Sequence, residues 1–376
     1  MASKDVVIVG AGIAGLSLAW HLRRAGQAVT VLERAPRAEG ASVRNFGMVW
    51  PVGQPTAEIE ALALRSRELW QIAAAEAGFW HRACGSLHLA YEDAEMAVLK
   101  EFAESHPDRT PRNVLTPDEA VARCPGIRRE GLRGALASST EHAVDPREVV
   151  HRLAEALVQS GVGIGFVSPV PRVKSGQVTL IGGETIRASA VVVCAGPWLF
   201  EQFHEAATRD GLDLCHLQML RLEPQAGTPA LGVHLCAGLT QDHYKNFSDC
   251  PSLPAVRALH RQKWPAQLKH GIHVLVAEHA DGTLTVGDSH TYGRAHPVYS
   301  EESVDQLILQ AMDEFLPVDR YTVCQRWIGT YPTHPSLPYW QTQVEDGVWA
   351  LNLFGTGMTL SFGVTERLKS EILTCA

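Results

Sequence analysis

The chain has 376 residues, 45% of them hydrophobic, and a formal net charge of -8. That is enough apolar material for one large or two interleaved domains with a buried core, which excludes a disordered or fibrous protein. A nucleic-acid surface is excluded too, because phosphate binding needs clustered Lys and Arg that this sequence never concentrates.

Met1 leads through a short polar stretch into an apolar strand without the basic flank, apolar region and cleavage site of a signal peptide, so a cytoplasmic location is expected. No apolar run reaches the roughly 18 to 20 residues that span a bilayer. Even Ala190 to Phe200 is broken by Gly196 and Pro197, and no integral membrane segment is expected. The cysteines stand singly, at 84, 124, 194, 215, 236, 250 and 324 with one more in the C-terminal tail. No CxxC or His/Cys metal spacing appears, so no metal site is expected and the thiols read as reduced and cytosolic.

Residues 5 to 33 read as strand, tight glycine turn, helix and strand: Asp5 to Val9, Gly10 to Gly15, a helix to about Ala25 stopped by Gly26, then Ala28 to Leu32. Pro55 and Thr56 open a long helix ending at Gly78. Asp145-Pro-Arg-Glu148 predicts a capping box with Pro at the first helical position, and a helix towards Ser160. From Val162 short alternating strands take over, with turns at Lys174 to Gly176 and Gly182-Gly183, closing on the apolar run Ala190 to Ala195, which reads as buried on both faces. Further β-like pieces include Ile272 to Glu278 and Thr283 to Val286 around an Asp281-Gly282 hairpin turn, and a helix is predicted over about Glu302 to Phe315. No repeat or linker appears, which suits two domains that the chain crosses several times.

Gly10-x-Gly12-x-x-Gly15 is weak as an isolated motif. Here it follows a strand, opens a helix, and is followed by Glu33 at the end of the second strand, which is the context a dinucleotide fingerprint needs. Gly10 permits the tight turn, Gly12 lets backbone approach a pyrophosphate, Gly15 lets helix and strand pack closely, and the helix N-terminus faces the negative charge. Glu33 would accept hydrogen bonds from the adenosine ribose. An ordinary glycine turn leaves Glu33 unexplained. The fingerprint leaves NAD and FAD both open.

Other segments bear on that choice: Val6 to Arg34, Gly40-Ala-Ser42, the Val144-Asp-Pro146 helix start, Gly161 to Ile164, Val191 to Trp198, Trp327 to Pro332, and Gly355-Thr-Gly357. On these the chain resembles the D-amino-acid oxidase, glycine oxidase and sarcosine oxidase family of FAD enzymes. The resemblance implies an α/β fold, a Rossmann-type FAD-binding domain interleaved with an antiparallel-sheet substrate domain. The implied FAD-binding parts are 1–80, 141–214 and 326–376, and the substrate parts 81–140 and 215–325.

It also implies that the Ser42 region lies beside the pyrophosphate and flavin, that Val170 packs on adenine, and that the return near Gly355 covers the edge of the flavin ring. The expected FAD contacts are Gly10, Gly12, Ile13, Ala14, Gly15, Glu33, Arg34, Ser42, Asn45, Phe46, Gly47, Met48, Val170, Cys194, Ala195, Gly196, Trp198, Gly329, Gly355, Thr356, Gly357, Met358 and Thr359. No second GxGxxG follows a strand, so no nicotinamide domain is expected and electrons leave for oxygen, or for another acceptor. Some family members tether the flavin through a cysteine, whose aligned position here is Gly329. Cys324 is expected to pack in the core, and FAD to be held non-covalently.

Amino-acid oxidising relatives grip the substrate carboxylate with arginine, because a guanidinium fork matches two oxygens. Both usual positions lack it here, where Tyr331 precedes Pro332 and Met358 follows Gly357. Ala41 to Pro51 with Gly287 to Tyr292 resembles a branch associated with aminophosphonate breakdown. That implies oxidation of 2-aminoethylphosphonate or its N-methyl form to phosphonoacetaldehyde. A phosphonate needs several donors, for which Arg44, Asn45, His290, Tyr292, Arg326, Tyr331 and Thr356 are candidates. Lys245 reads as a solvated loop residue, and His273 and His279 as ordinary polar residues. His290 and Tyr292 share a face by the period of two.

The expected reaction is hydride transfer from the α-carbon of a small amine, for which orientation and a dry wall suffice and no acid–base dyad is needed. The alternatives are a D-amino-acid or glycine/sarcosine-type oxidase, a flavin dehydrogenase serving a quinone or carrier, an FAD-bound protein without turnover, and a plain NAD-binding protein.

Overall fold

A computed structural model describes residues 5–105, 110 and 112–374. Six strands form the first sheet, in the order Trp340–Glu345, Val348–Asn352, Ala190–Val193, Asp5–Val9, Ala28–Leu32, Gly163–Gly165, and all neighbours pair in parallel except the antiparallel edge strand Trp340–Glu345.

The period of two sorts the central strand between two cores. Val6 and Ile8 pack with the helices Ile13–Arg24, Ala57–Ala77, Pro146–Gln159 and Gly357–Thr374. Val7 and Val9 face an antiparallel meander of Arg172–Lys174, Gln177–Thr179 and Thr185–Arg187. Ala190–Val193 is buried at every position, as a strand covered on both faces must be.

The helix after Pro55 spans Ala57–Ala77; the Thr56 hydroxyl accepts the Ile59 N–H, and Gly78 ends it at φ +69°. The next predicted helix starts where expected, but its capping box does not form. Asp145 accepts the Arg147 N–H at 2.9 Å, and Glu148 turns away to Arg152. The reason is tertiary: the Arg147 guanidinium lies against the Asp145 carboxylate and reaches Asp281 at 3.0 Å. Asp281 sits in the predicted hairpin turn, between Leu275–Glu278 and Leu284–Gly287, so this helix start is tied to the second sheet.

That second sheet is assembled from Ser86–Ala90, Arg112–Leu115, Gly134–Ser138, Asp213–Pro224, His234–Cys236, Leu275–Glu278, Leu284–Gly287, Thr291–Tyr292 and Tyr321–Thr333. It is antiparallel except where His234–Cys236 meets Ser86–Ala90. Its backbone is the ladder between Asp213–Pro224 and Tyr321–Thr333, unbroken from Asp213 opposite Thr333 to a bulge after Arg221. The boundary expected between 325 and 326 falls inside Tyr321–Thr333, which stays in the second sheet to its end.

Along Asp213–Pro224, Cys215, Leu217 and Met219 point to one face, with Phe46, Trp327 and Tyr331 against them. Leu220 and Leu222 join Val304, Ile308 and Met312 of the helix Glu302–Asp313 in a separate core. Cys324 is the extra residue of the bulge. It is exposed, its thiol directed at the Arg221 carbonyl at 3.4 Å, and is not the core residue expected. Among the described residues every cysteine is free, and no helix is long and apolar enough to cross a membrane.

Removing the cap at Asp145 by Asp145→Ala is expected to cost about 1 to 2 kcal/mol in urea unfolding. Burial tends to raise the Asp281 carboxyl, but the Thr283 hydroxyl and N–H and Arg147 outweigh it and hold it down to about 2. Its stabilisation is therefore present above the ordinary value of 3.8 and lost as pH falls toward 2. Asp281→Asn should flatten that part of the pH–stability curve, and an unchanged curve would refute the assignment.

Candidate functional site

A cavity of about 840 Å³ opens where the C-terminal ends of the parallel strands meet the second sheet, lined first by Val9, Gly10, Leu32, Glu33 and Cys194. Ligands of open α/β sheets bind at this edge because helix N-termini converge there.

Each fingerprint glycine has its own steric reason. A β-carbon on Gly10, at φ +109°, would lie 2.5 Å from the Cys194 carbonyl oxygen. On Gly15 it would lie 2.0 Å from the Gly10 carbonyl oxygen, so the helix could not sit on the strand. On Gly12 it would meet the Ser42 hydroxyl at 3.0 Å. That hydroxyl accepts the Ile13 N–H at 2.9 Å, which places Ser42 at the mouth of the helix N-terminus.

Glu33 is buried and aimed by backbone: one carboxylate oxygen accepts the Ala11 N–H at 2.8 Å and the other the Ala35 N–H at 3.0 Å. Both oxygens keep a lone pair for a ligand hydroxyl. Beyond it the Arg34 guanidinium lies 4.3 Å from the centre of the Trp198 ring, and Val170 completes this end.

The chain returns to the cavity at Leu351–Thr359. Asn352 accepts the Phe354 N–H and holds Phe354 at φ +52°; the Thr356 hydroxyl is directed at the Leu353 carbonyl oxygen at 2.8 Å. Gly357 then opens the last helix, so a second helix N-terminus faces the same space as that of Ile13–Arg24.

The opposite end is walled by the second sheet and its connections: Leu217, Met219, Leu275, Phe46, Met48 and Trp50 supply apolar surface, and Tyr244, Tyr331, Asp288, His243, His273 and His290 the polar groups. Burial pushes the Tyr331 and Tyr244 hydroxyls and the Asp288 carboxyl well above their ordinary ranges. Burial likewise holds His290 down to about 4.

Most of the residues expected at the cofactor line this cavity: Gly10, Gly12, Ile13, Ala14, Glu33, Arg34, Ser42, Asn45, Phe46, Met48, Val170, Cys194, Ala195, Gly196, Trp198, Gly329, Gly355, Thr356, Gly357, Met358 and Thr359. Gly15 and Gly47 are packing positions instead; a β-carbon on Gly47 would lie 2.0 Å from the Val144 carbonyl oxygen.

The substrate candidates divide. Arg44, His290 and Tyr331 line the cavity. Asn45 does too, but its amide spends its donors on the Ala41 and Ser42 carbonyls and so shapes its own loop. Arg326 lies outside, paired with Asp305 at 2.9 Å and Glu302 at 3.3 Å. Tyr292 is exposed on the short strand Thr291–Tyr292; its ring stacks 6.4 Å from His290 but does not reach the cavity. Lys245 is directed at the Pro335 carbonyl. His279 is buried against Thr285, as an ordinary polar residue would be, but His273 is not ordinary, because it meets His243 and His290 at the cavity wall. His243 carried no sequence signal: three single histidines at unrelated spacing resemble no motif.

Glycine turn, oriented carboxylate, helix N-termini and a late return together define a dinucleotide-cofactor oxidoreductase of the flavin type, and the donor set fits FAD. The chain belongs to the DAO family, described as FAD dependent oxidoreductase, whose model matches residues 5–369. FAD is its cofactor. Among curated proteins it is similar to the mitochondrial pyruvate dehydrogenase phosphatase regulatory subunit of Mus musculus, 30% identical over 210 residues, 53% of this chain and 24% of that protein. It is also similar to glycine oxidase of Geobacillus kaustophilus, 26% identical over 207 residues, 52% of this chain and 55% of that protein. The chain thus matches about half or less of the length of these relatives. The crystal structure of that glycine oxidase superposes with a TM-score of 0.79 at 20% identity, covering 99% of this chain and 95% of that one, and shows the shared fold.

Glu33→Ala strands two buried N–H groups and removes the carboxylate expected to accept from the ribose; retained flavin per chain, read from absorbance, is expected to fall roughly tenfold or more. Unchanged flavin content would show that Glu33 does not hold the cofactor.

Proposed function

We propose that this chain oxidises the carbon–nitrogen bond of a small primary or secondary amine carrying an anionic group, with FAD held non-covalently and oxygen as electron acceptor. The substrate we favour is 2-aminoethylphosphonate or its N-methyl form, giving phosphonoacetaldehyde. The observation that carries the reading is a single cavity running from the glycine turn to a largely apolar compartment on the second sheet, closed by neutral tyrosines and histidines.

When bound, FAD supplies a two-electron acceptor for the C–H bond beside the amine nitrogen. Gly10, Gly12, Ser42 and Glu33 would hold its dinucleotide end, and Gly355 to Thr359 would border its ring. The helix N-terminus at Gly357 favours negative charge in that region. Leu217, Met219, Leu275 and Trp50 exclude water from the reacting amine. Tyr331 and Arg44 offer donors to the anionic end. Gly329, at the position where some relatives carry a tethering cysteine, offers no thiol to the flavin. That supports a non-covalent flavin.

Tyr331 and Met358 in place of two arginines count against the usual α-carboxylate clamp. A glycine-type oxidase is the second reading, supported by the similarity to glycine oxidase, and the regulatory-subunit relative keeps an FAD protein without turnover in view.

Under nitrogen, 2-aminoethylphosphonate or its N-methyl form should bleach the flavin, and readmitted air should restore the colour with one peroxide per turnover. Bleaching by glycine or sarcosine alone would select the second reading, colour restored only by a quinone would make the chain a dehydrogenase, and no bleaching by any amine would end the enzymatic proposal.

A further inference from the structure

His243 ends the helix Leu239–His243, His273 precedes the strand Leu275–Glu278, and His290 precedes Thr291–Tyr292. The pairing of His273 with Asp288 through both backbone N–H groups and the His290 N–H bond to the His270 carbonyl bring the last two together. The ring centres lie 3.8 Å apart for His243 and His273, 4.6 Å for His243 and His290, and 5.0 Å for His273 and His290. One ring nitrogen of each lies within 4.8 Å of the other two.

At His290 a hydrogen bond decides which ring nitrogen carries the lone pair. His290 Nδ1 is 3.0 Å from the Gly271 carbonyl oxygen, which can only accept, so Nδ1 bears the proton and Nε2 is left as a donor of electrons. His273 Nε2 lies 3.4 Å from Asp288 Oδ1 without a hydrogen bond between them, and both that oxygen and His273 Nδ1 are buried with no hydrogen-bond partner. A carbonyl behind one imidazole and a carboxyl behind another is the support that metal-binding histidines receive. Buried polar atoms without partners ask for an unseen water or ion. Neutral imidazole is the ligating form.

We propose that His243, His273 and His290 form a three-histidine site for a divalent transition-metal ion, zinc by preference, with Asp288 supporting His273 from behind. Three imidazole nitrogens without a ligating carboxylate or thiolate suit zinc, cobalt or nickel and disfavour calcium and magnesium. Three protein ligands leave a fourth position, and His243, whose ring is exposed to the cavity, places that position on the cavity side. An oxygen of an anionic ligand completes the shell there, where no arginine stands at 331 or 358; this second step rests on the anionic-amine reading.

The test uses flavin-loaded full-length protein, purified without a histidine tag, stripped with a chelator and titrated with Zn²⁺ or Co²⁺. Expected is one equivalent of tightly bound metal per chain, with the d–d bands of tetrahedral nitrogen-bound cobalt. His243→Ala and His290→Ala should abolish that equivalent while flavin content and melting temperature stay near wild type. Asp288→Asn should weaken it roughly 10- to 100-fold. Wild-type protein without a stoichiometric site, or both histidine variants binding as wild type does, would overturn the metal site. So would inorganic phosphate binding in the stripped protein that is lost in the same variants, since the cluster would then be a metal-free anion subsite. Amine bleaching measured on the same stripped sample is independent of these results: its survival with no metal site leaves the oxidase reading standing, and its failure with an intact site leaves the metal inference standing.

Discussion

At Gly10 the backbone passes so near the Cys194 carbonyl that no β-carbon fits, and at Gly15 it passes nearer still to Gly10 itself. These two approaches seat the first helix on the ends of two neighbouring parallel strands. Everything at the cavity takes its position from that seat. The helix N-terminus points along the strand ends, Ser42 meets it through Ile13, and Glu33, from the adjacent strand, turns back to the Ala11 N–H. A side chain at either glycine would lift the helix and separate these groups together.

The second sheet solves a different problem. A dinucleotide site on a parallel sheet is open to water on one side, and hydride chemistry needs a dry wall. The ladder of Asp213–Pro224 with Tyr321–Thr333 supplies one by alternation. Cys215, Leu217 and Met219 face Phe46, Trp327 and Tyr331, while Gln218 bonds to and Leu220 packs with the helix Glu302–Asp313. The ion pair from Arg147 to Asp281 ties a helix of the first sheet to a turn of the second. One motif thus serves as helix cap and as inter-sheet contact, which is why the simple box written in the sequence does not form.

Local patterns were legible where one residue type has one physical use. Gly78 at the end of a periodic run, Asp281-Gly282 between two strands, and the unbroken apolar run Ala190–Val193 each became what their chemistry allows. The fingerprint glycines and Glu33 were readable for the same reason, since a positive φ, a backbone contact and an acceptor at a strand end leave few alternatives. The polar candidates were much less so. Arg326 was taken up by Asp305, Asn45 by its own loop, and Tyr292 by the surface, because a basic or amide side chain binds whichever partner the fold brings nearest. Cys324 looked apolar enough to be interior, but a bulge in its strand turned it outward.

The amino-acid sequence by itself determined the dinucleotide-binding start and the absence of arginine at 331 and 358, because these depend on short-range geometry and residue identity; the fingerprint left NAD and FAD both open, and FAD followed from the family resemblance. Only the tertiary structure decided that His243, His273 and His290 share a wall and that Asp288 stands behind one of them. No spacing announces such a group: its members come from a helix end and two strand approaches, and they meet only because antiparallel pairing between His273 and Asp288 sets the register that lays one segment over another.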